Sequence, residues 1–437
     1  MQPTQLRAAE HRLERFLGDF LPLLGRVERQ TQAGLYVRGL LLDGERKSIE
    51  PMVGRLPGAD VQALRQFVNQ SPWDWAPVQA ALTGVMLDRL LPDAVLILDE
   101  TSFPKQGTQS VGVARQYCGA LGKTANCQVA VSVHLGTAHA CLPLTWGLYL
   151  PQSWIDDPGR RAAARVPDAI TYQTKNALAL AALDRVRAWG VGPRIVLADA
   201  GYGTSHDFRA ALTARGLPYC VQVAVSLKGW LDAPAPPGAP PYQGRGRPRL
   251  VVPRATLPDP LALDEIAATL PPDAWRTVTW RQGTKGPMRS RFAHTLLWTA
   301  RRWNTSGALP ATPLRLLIEW PRGEAAPLRY WLADLPGEAL GLRRFVRLAK
   351  GRWRIEQDYR ELKDELGLDH FEGRSWPGWH HHVTLVTMAY AFLVLETSRG
   401  KKTPGLTLPA VRRRLQALLI RLGEWCPTCR RPWHDSS

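Results

Sequence analysis

Two short apolar runs, each closing on an aspartate, restrict the folds open to this chain more than any other feature. Val95-Leu96-Ile97-Leu98 ends in Asp99-Glu100-Thr101, and Arg194-Ile195-Val196-Leu197-Ala198 ends in Asp199. A continuous aliphatic run of this length reads as a strand buried on both faces, which requires helices on both sides of a sheet. The pattern predicts an α/β fold, a mixed sheet with flanking helices, whose parallel strands deliver Asp99 and Asp199 at their ends to a common edge. Gly201 and Gly203, just after Asp199, are expected to permit close backbone approach to a ligand.

A third acid belongs to the stretch Gly351-Arg352-Trp353-Arg354-Ile355-Glu356-Gln357-Asp358-Tyr359-Arg360-Glu361-Leu362-Lys363-Asp364-Glu365-Leu366. It lacks Pro, its Gly is at the front edge and Gly367 follows as a stop signal, so one helix is expected. Arg352, Glu356, Tyr359 and Lys363 then form a polar stripe, and Ile355, Leu362 and Leu366 an apolar one. A carboxylate between two bases on one face suits a phosphate-handling metal site; a solvated face laced with ion pairs is the plainer reading. A packed helix can bring Glu356 to Asp99 and Asp199. Three such carboxylates repel unless divalent cations bridge them, and two hard cations ~4 Å apart are the usual device for in-line displacement at phosphate. Glu100, Asp207, Glu361 and Glu365 are the neighbouring acids with which the three could be confused.

The formal net charge of +18 over 437 residues points to a polyanionic partner, nucleic acid first. The 45% hydrophobic and 22% charged composition is that of a folded chain, and the length calls for two or three domains. Six cysteines at this length are no disulfide framework and fit a reducing cytoplasm. The N-terminus has no apolar signal core, and the longest apolar run, Val383 to Leu395, is too short for a bilayer, so no membrane is expected.

Residues 1–90 read as helices with recurrent Arg and Lys, either a DNA-gripping module or a helical cap. Residues 91–225 read as the first part of the core, with strands over Ser110 to Gly119, Cys127 to Gly136 and Leu142 to Leu150, and a helix from Thr174 to Trp189. Residues 226–340 read as a β-rich insertion opened by a Pro-rich linker. There, Arg245 and Arg247 in Gly244-Arg245-Gly246-Arg247-Pro248-Arg249 suit either a DNA minor groove or a basic turn. Residues 341–400 return to the core, and 401–437 form a basic helix and tail. Lys105 and Lys123 are candidate phosphate contacts, as is Tyr359. Cys426 and Cys429 with His434 supply at most three zinc ligands. His380-His381-His382 diverge on a helix and read as its polar start.

These motifs resemble the DDE transposases of bacterial insertion sequences. In that group's signature a Tyr, two residues, an Arg, three residues, a Glu, six residues and a Lys follow in order. Arg352, Glu356 and Lys363 match the last three at the right spacing, and Ala349 stands at the Tyr position. The resemblance covers about Ala94 to Ser398. It implies a ribonuclease H-like core, Asp99, Asp199 and Glu356 as catalytic metal ligands, and Arg352 and Lys363 on phosphate. It also implies two Mg2+ ions, with Mn2+ as a substitute. The expected activity is binding of terminal inverted repeats, hydrolytic cleavage at the ends and joining of the 3′-hydroxyl to target DNA. The expected assembly is a homodimer on double-stranded DNA in the bacterial cytoplasm, associated with the nucleoid. The competing readings are a nuclease that cuts without joining and a catalytically silent DNA-binding protein.

Overall fold

A computed structural model of the protein describes residues 3–42, 44–89, 93–137, 140–234, 258–283, 286–301, 309–337, 340–399 and 412. They fall into two compact units, Met1–Gly192 with Arg354–Ser437, and Pro193–Trp353. Arg245, Arg247, Cys426, Cys429 and His434 lie outside the described residues.

The first unit opens with helices α1 (Pro3–Phe20), α2 (Val27–Leu41), α3 (Ile49–Val53), α4 (Val61–Asn69) and α5 (Ala76–Arg89). The kink expected at Pro22 is a change of helix type: Leu21–Leu24 is a 3-10 turn, closed by Gly25 at φ 83°. Strands β1 (Val95–Pro104), β2 (Ala114–Cys118), β3 (Lys123–Gly136) and β4 (Cys141–Leu148) follow, then α6 (Gln152–Ile155), α7 (Pro158–Ala163) and α8 (Lys175–Ala188). All four strands are antiparallel: β3 pairs β1 on one side and β2 and β4 on the other. Helix α8 packs on β3 and β4. Chain returning from the second unit adds α13 (Trp353–Asp364) and α14 (Trp376–Arg399).

Helix α14 is the spine of this unit. Residues from His380 to Val394 are all buried, because α1, α2, α4, α5 and β4 surround the helix. The apolar run thus serves a core, as a helix hydrophobic all round must. Among the described residues no helix is long and apolar enough to cross a membrane. The bidentate pair of Arg12 with Glu396, at 2.5 and 2.7 Å, ties α1 to its far end.

His380, His381 and His382 do diverge, but they are interior residues rather than a polar helix start. His381 contacts the carbonyl oxygens of Val68 and Trp73 at 2.8 and 2.9 Å. His382 bonds the Tyr36 hydroxyl at 2.9 Å and the Leu368 carbonyl at 3.2 Å. His380 stacks on Trp75. The sequence pattern misplaces them because a helix enclosed by five elements has no solvent face.

The second unit holds β5 (Val196–Ala198), α9 (Ala200–Gly203), α10 (His206–Ala214), β6 (Tyr219–Val223), β7 (Lys228–Trp230), β8 (Leu261–Ala262) and α11 (Leu263–Thr269). It continues with β9 (Arg276–Gly283), β10 (Gly286–Thr299), β11 (Leu314–Trp320), β12 (Arg329–Asp334) and α12 (Leu342–Gly351). Its strands run in the order β5-β6-β12-β11-β10-β7-β8, with β9 on β10. The β5–β6 pair is parallel, whereas β6 to β12, β12 to β11, β11 to β10 and β10 to β9 are antiparallel. Leu263, Ile266 and Ala267 of α11 pack on Leu316, Ile318, Tyr330 and Leu332. Helix α12 turns Phe345, Val346 and Ala349 inward. Its Lys350 meets the buried Glu319 at 2.5 Å among the rings of Trp280, Phe292 and Trp331, a charge burial that requires such a partner.

Candidate active site

Asp99 sits in the middle of β1, not at its end. The strand runs on to Pro104 because Thr101 and Phe103 keep the alternation and pair with β3 as far as Cys127. Asp99 lies opposite Ser132, and Ile97 opposite His134, so Asp99, Ser132 and His134 share one face of the sheet. The Asp99 side chain is 8% exposed, and its Oδ1 accepts the Glu100 N–H at 2.8 Å. Glu100 points to the opposite face, where Lys175 of α8 holds it at 2.8 Å.

The helix expected over Gly351 to Leu366 is α13, its front-edge Gly351 being the last residue of α12. Arg352 lies between the last residue of α12 and the first of α13, and Gly367 at φ 65° closes the α13 segment as expected. Glu356 is exposed in the first turn of α13, where the positive helix end favours a carboxylate. Its neighbours one and two turns on face inward. The Tyr359 hydroxyl is 2.7 Å from Ser132 Oγ, and Lys363 Nζ donates to the Ser102 carbonyl at 2.9 Å over the Phe103 ring. These bonds stitch the Glu356 helix to β1 and β3.

Tyr359, expected on phosphate, is therefore a buried anchor. Burial, and next the Asp99 charge, push its phenol well above its usual range. Lys105 is also turned inward: its ammonium donates to the Phe371 carbonyl at 2.6 Å, and burial lowers its pKa. Burial lowers that of Lys363 as well. Lys123 is exposed at the start of β3. Glu361 is engaged by Gln357 at 2.8 Å and Tyr390 at 2.9 Å, and Glu365 is paired with Arg412. Tyr359→Phe removes one neutral hydrogen bond, so a loss of about 1 kcal/mol in stability is expected from urea unfolding.

Behind this face lies a network that sequence reading missed. His134 Nδ1 is 2.8 Å from Asp358 Oδ2, His134 Nε2 is 2.9 Å from Ser132 Oγ, and the Tyr390 hydroxyl donates to Asp358 Oδ1 at 3.1 Å. The signal was present: Ser132 and His134 are polar at period two within the aliphatic second half of β3, Val129 to Leu135. Cys141 joins His134 and Asp358 in a buried group whose ligand atoms all lie within 4.8 Å of one another. It does not fit a hard cation such as Mg2+, which prefers oxygen. Both His134 nitrogens are already hydrogen-bonded, and burial raises the Cys141 thiol well above its usual range.

In the second unit β5 delivers Asp199 as expected. The residue caps α9, its Oδ1 accepting N–H groups from Gly201 at 3.0 Å and Tyr202 at 3.3 Å. Gly203 serves packing rather than ligand approach, because a Cβ there would strike the Gln222 carbonyl and Val221 of β6. Gly203→Ala is expected to cost roughly 1–3 kcal/mol, seen as a lower urea midpoint. Asp207, the other acid of this region, is paired with Arg301.

Residues 19–287, more than half of the chain, match the sequence profile of the DDE superfamily endonucleases. The chain belongs to that family. The matched span carries Asp99 and Asp199 and stops ahead of α13. A curated relative from Microchaete diplosiphon, described as the probable transposase for insertion sequence element IS701, is 31% identical over 199 residues. That stretch is 45% of this chain and 49% of the relative, so the chain spans about half the length of the curated relative it matches. A solved synaptic complex of piggyBac transposase with hairpin DNA covers 92% of this chain and 73% of its own at 11% identity. Its TM-score is 0.43, a likeness too weak to fix the fold.

Proposed function

We propose that the chain is a DNA transposase that binds the terminal inverted repeats of an insertion sequence, cleaves its ends and joins the freed 3′-hydroxyl to target DNA. The observation that carries this reading is the stitching of α13 onto β1 and β3, through Tyr359 to Ser132 and Lys363 to Ser102. It fixes the helix bearing Glu356 against the strand bearing Asp99, within a family of endonucleases. In this reading Asp99, Asp199 and Glu356 hold two Mg2+ ions, for which Mn2+ can substitute. Their all-oxygen donor set suits that hard cation. When bound, the ions supply Lewis acidity to the scissile phosphate and lower the pKa of the attacking water or hydroxyl.

The chain's own groups do the rest. Lys363, which spends one of its three donors on Ser102, and Arg352 are the proposed phosphate contacts near the scissile bond. Lys123 and the arginines Arg245 and Arg247 are proposed contacts to flanking DNA. A ribonuclease H-like core split by the β-rich insertion, a homodimer pairing the two ends, and action at the bacterial nucleoid complete the proposal.

The test is a labelled duplex ending in the element's own inverted repeat, incubated with the protein, Mg2+ and a second duplex. Nicking at the end followed by joining is expected. Nicking without joining would replace the reading by a nuclease, and binding without cutting would withdraw it.

A further inference from the structure

Helix α12 carries its charge in two different ways. Near its C-terminus Lys350 is matched by Glu319 at 2.5 Å. In its first two turns Arg343, Arg344 and Arg347 are exposed at adjacent and one-turn spacing, and Arg276, exposed at the start of β9, stands with them. These four arginines line one open concavity of about 620 Å³, together with Thr277 and the helix N-cap Gly341. Among the described residues, its wall holds no carboxylate. Like charges at such spacing destabilise a helix, and the positive end of α12, whose N-cap makes no side-chain bond, adds to the same field. An anion relieves that repulsion, and guanidinium groups match phosphate oxygens in bidentate geometry.

We propose that this arginine-lined concavity binds the phosphate backbone of duplex DNA, as a site separate from the three acids. The inference rests on the DNA-acting reading above. It commits to backbone phosphate because several guanidinium groups side by side match a row of phosphate oxygens, the contact that positions a duplex whatever its sequence. In sequence, α12 leads through Arg352 into Glu356, so phosphates gripped here are gripped on the segment that introduces the third acid.

The experiment compares the full chain with Arg343→Ala/Arg347→Ala and with Arg289→Ala/Arg322→Ala, a control pair of exposed arginines in the same unit. Duplex binding is measured by fluorescence anisotropy from 50 to 200 mM salt, with circular dichroism as the check on folding. The slope of log K against log salt should become shallower by about two for the first pair, near 0.9 for each phosphate no longer neutralised, and stay unchanged for the control. An unchanged slope in the first pair, or an equal change in both, overturns the concavity while leaving the DNA reading intact. Absence of salt-dependent binding in the unaltered chain overturns both.

Discussion

Glu356→Gln should abolish metal-dependent cleavage of element-end DNA while leaving end binding and folding almost unchanged. The substitution keeps shape and removes one negative charge from an exposed position. Its folding cost is therefore that of charge interactions at an exposed site, the helix end among them, about 1 kcal/mol. The catalytic cost follows a different scale. Altering a residue that merely supports a metal ligand costs about 10–100-fold in metal affinity or activity, so losing a ligand itself should exceed ~100-fold. Asp99→Asn and Asp199→Asn should behave alike. Glu361→Gln supplies the contrast: this acid is held by Gln357 and Tyr390, its pKa raised chiefly by burial, and its loss should leave cleavage within a few-fold of normal. Initial rates of nicking at fixed Mg2+, with anisotropy for binding, decide the matter. Cleavage retained by Glu356→Gln and lost in Glu361→Gln would move the third acid to Glu361, on another face of the helix.

What the sequence disclosed and what it hid follow from the range of the forces involved. Val95 to Leu98 and Val196 to Ala198 were legible as strands because unbroken aliphatic runs have few other uses, and α13 was legible because Gly367 stops it. The strand beyond Asp99 was not legible. Its continuation is decided by pairing with β3, a partner set by the fold rather than by neighbours in the chain. Gly203 carried the same ambiguity: glycine signals a close approach without naming what approaches, and here it is β6. Tyr359 and Lys363 were correctly placed on one stripe with Glu356, yet a stripe does not show which part is covered. Only the packing of α13 on β1 and β3 turns those two inward and leaves Glu356 at the surface. Asp358 was passed over because its partner His134 lies on a strand far away in the chain.

The three histidines of α14 give the unit an expected acid lability. Burial lowers all three: His381 to about 4, against the opposing pull of two carbonyl oxygens, His382 to about 3, and His380 well below its usual range. Neither ring nitrogen of His380 has a hydrogen-bond partner among the described residues, so a proton there would be a buried charge enclosed by Trp75, Trp376 and Trp379. Nearby Arg165, Lys105 and Arg185 add to the cost. The folded chain thus binds fewer protons than the unfolded chain, whose histidines titrate near 6.5. Stability is complete above pH ~6.5 and is lost on acidification, His381 contributing down to about pH 4 and His382 to about pH 3. At roughly 1.4 kcal/mol per pH unit for each group, lowering the pH from 7 to 5 should remove about 2 kcal/mol each through His381 and His382, a large share of the ~5–15 kcal/mol typical of a domain. His382→Gln keeps an N–H for the Leu368 carbonyl and should make the pH dependence shallower by one proton. Urea midpoints at pH 7 and pH 5 test this directly: equal midpoints would mean that these histidines are already protonated in the fold or that water reaches them.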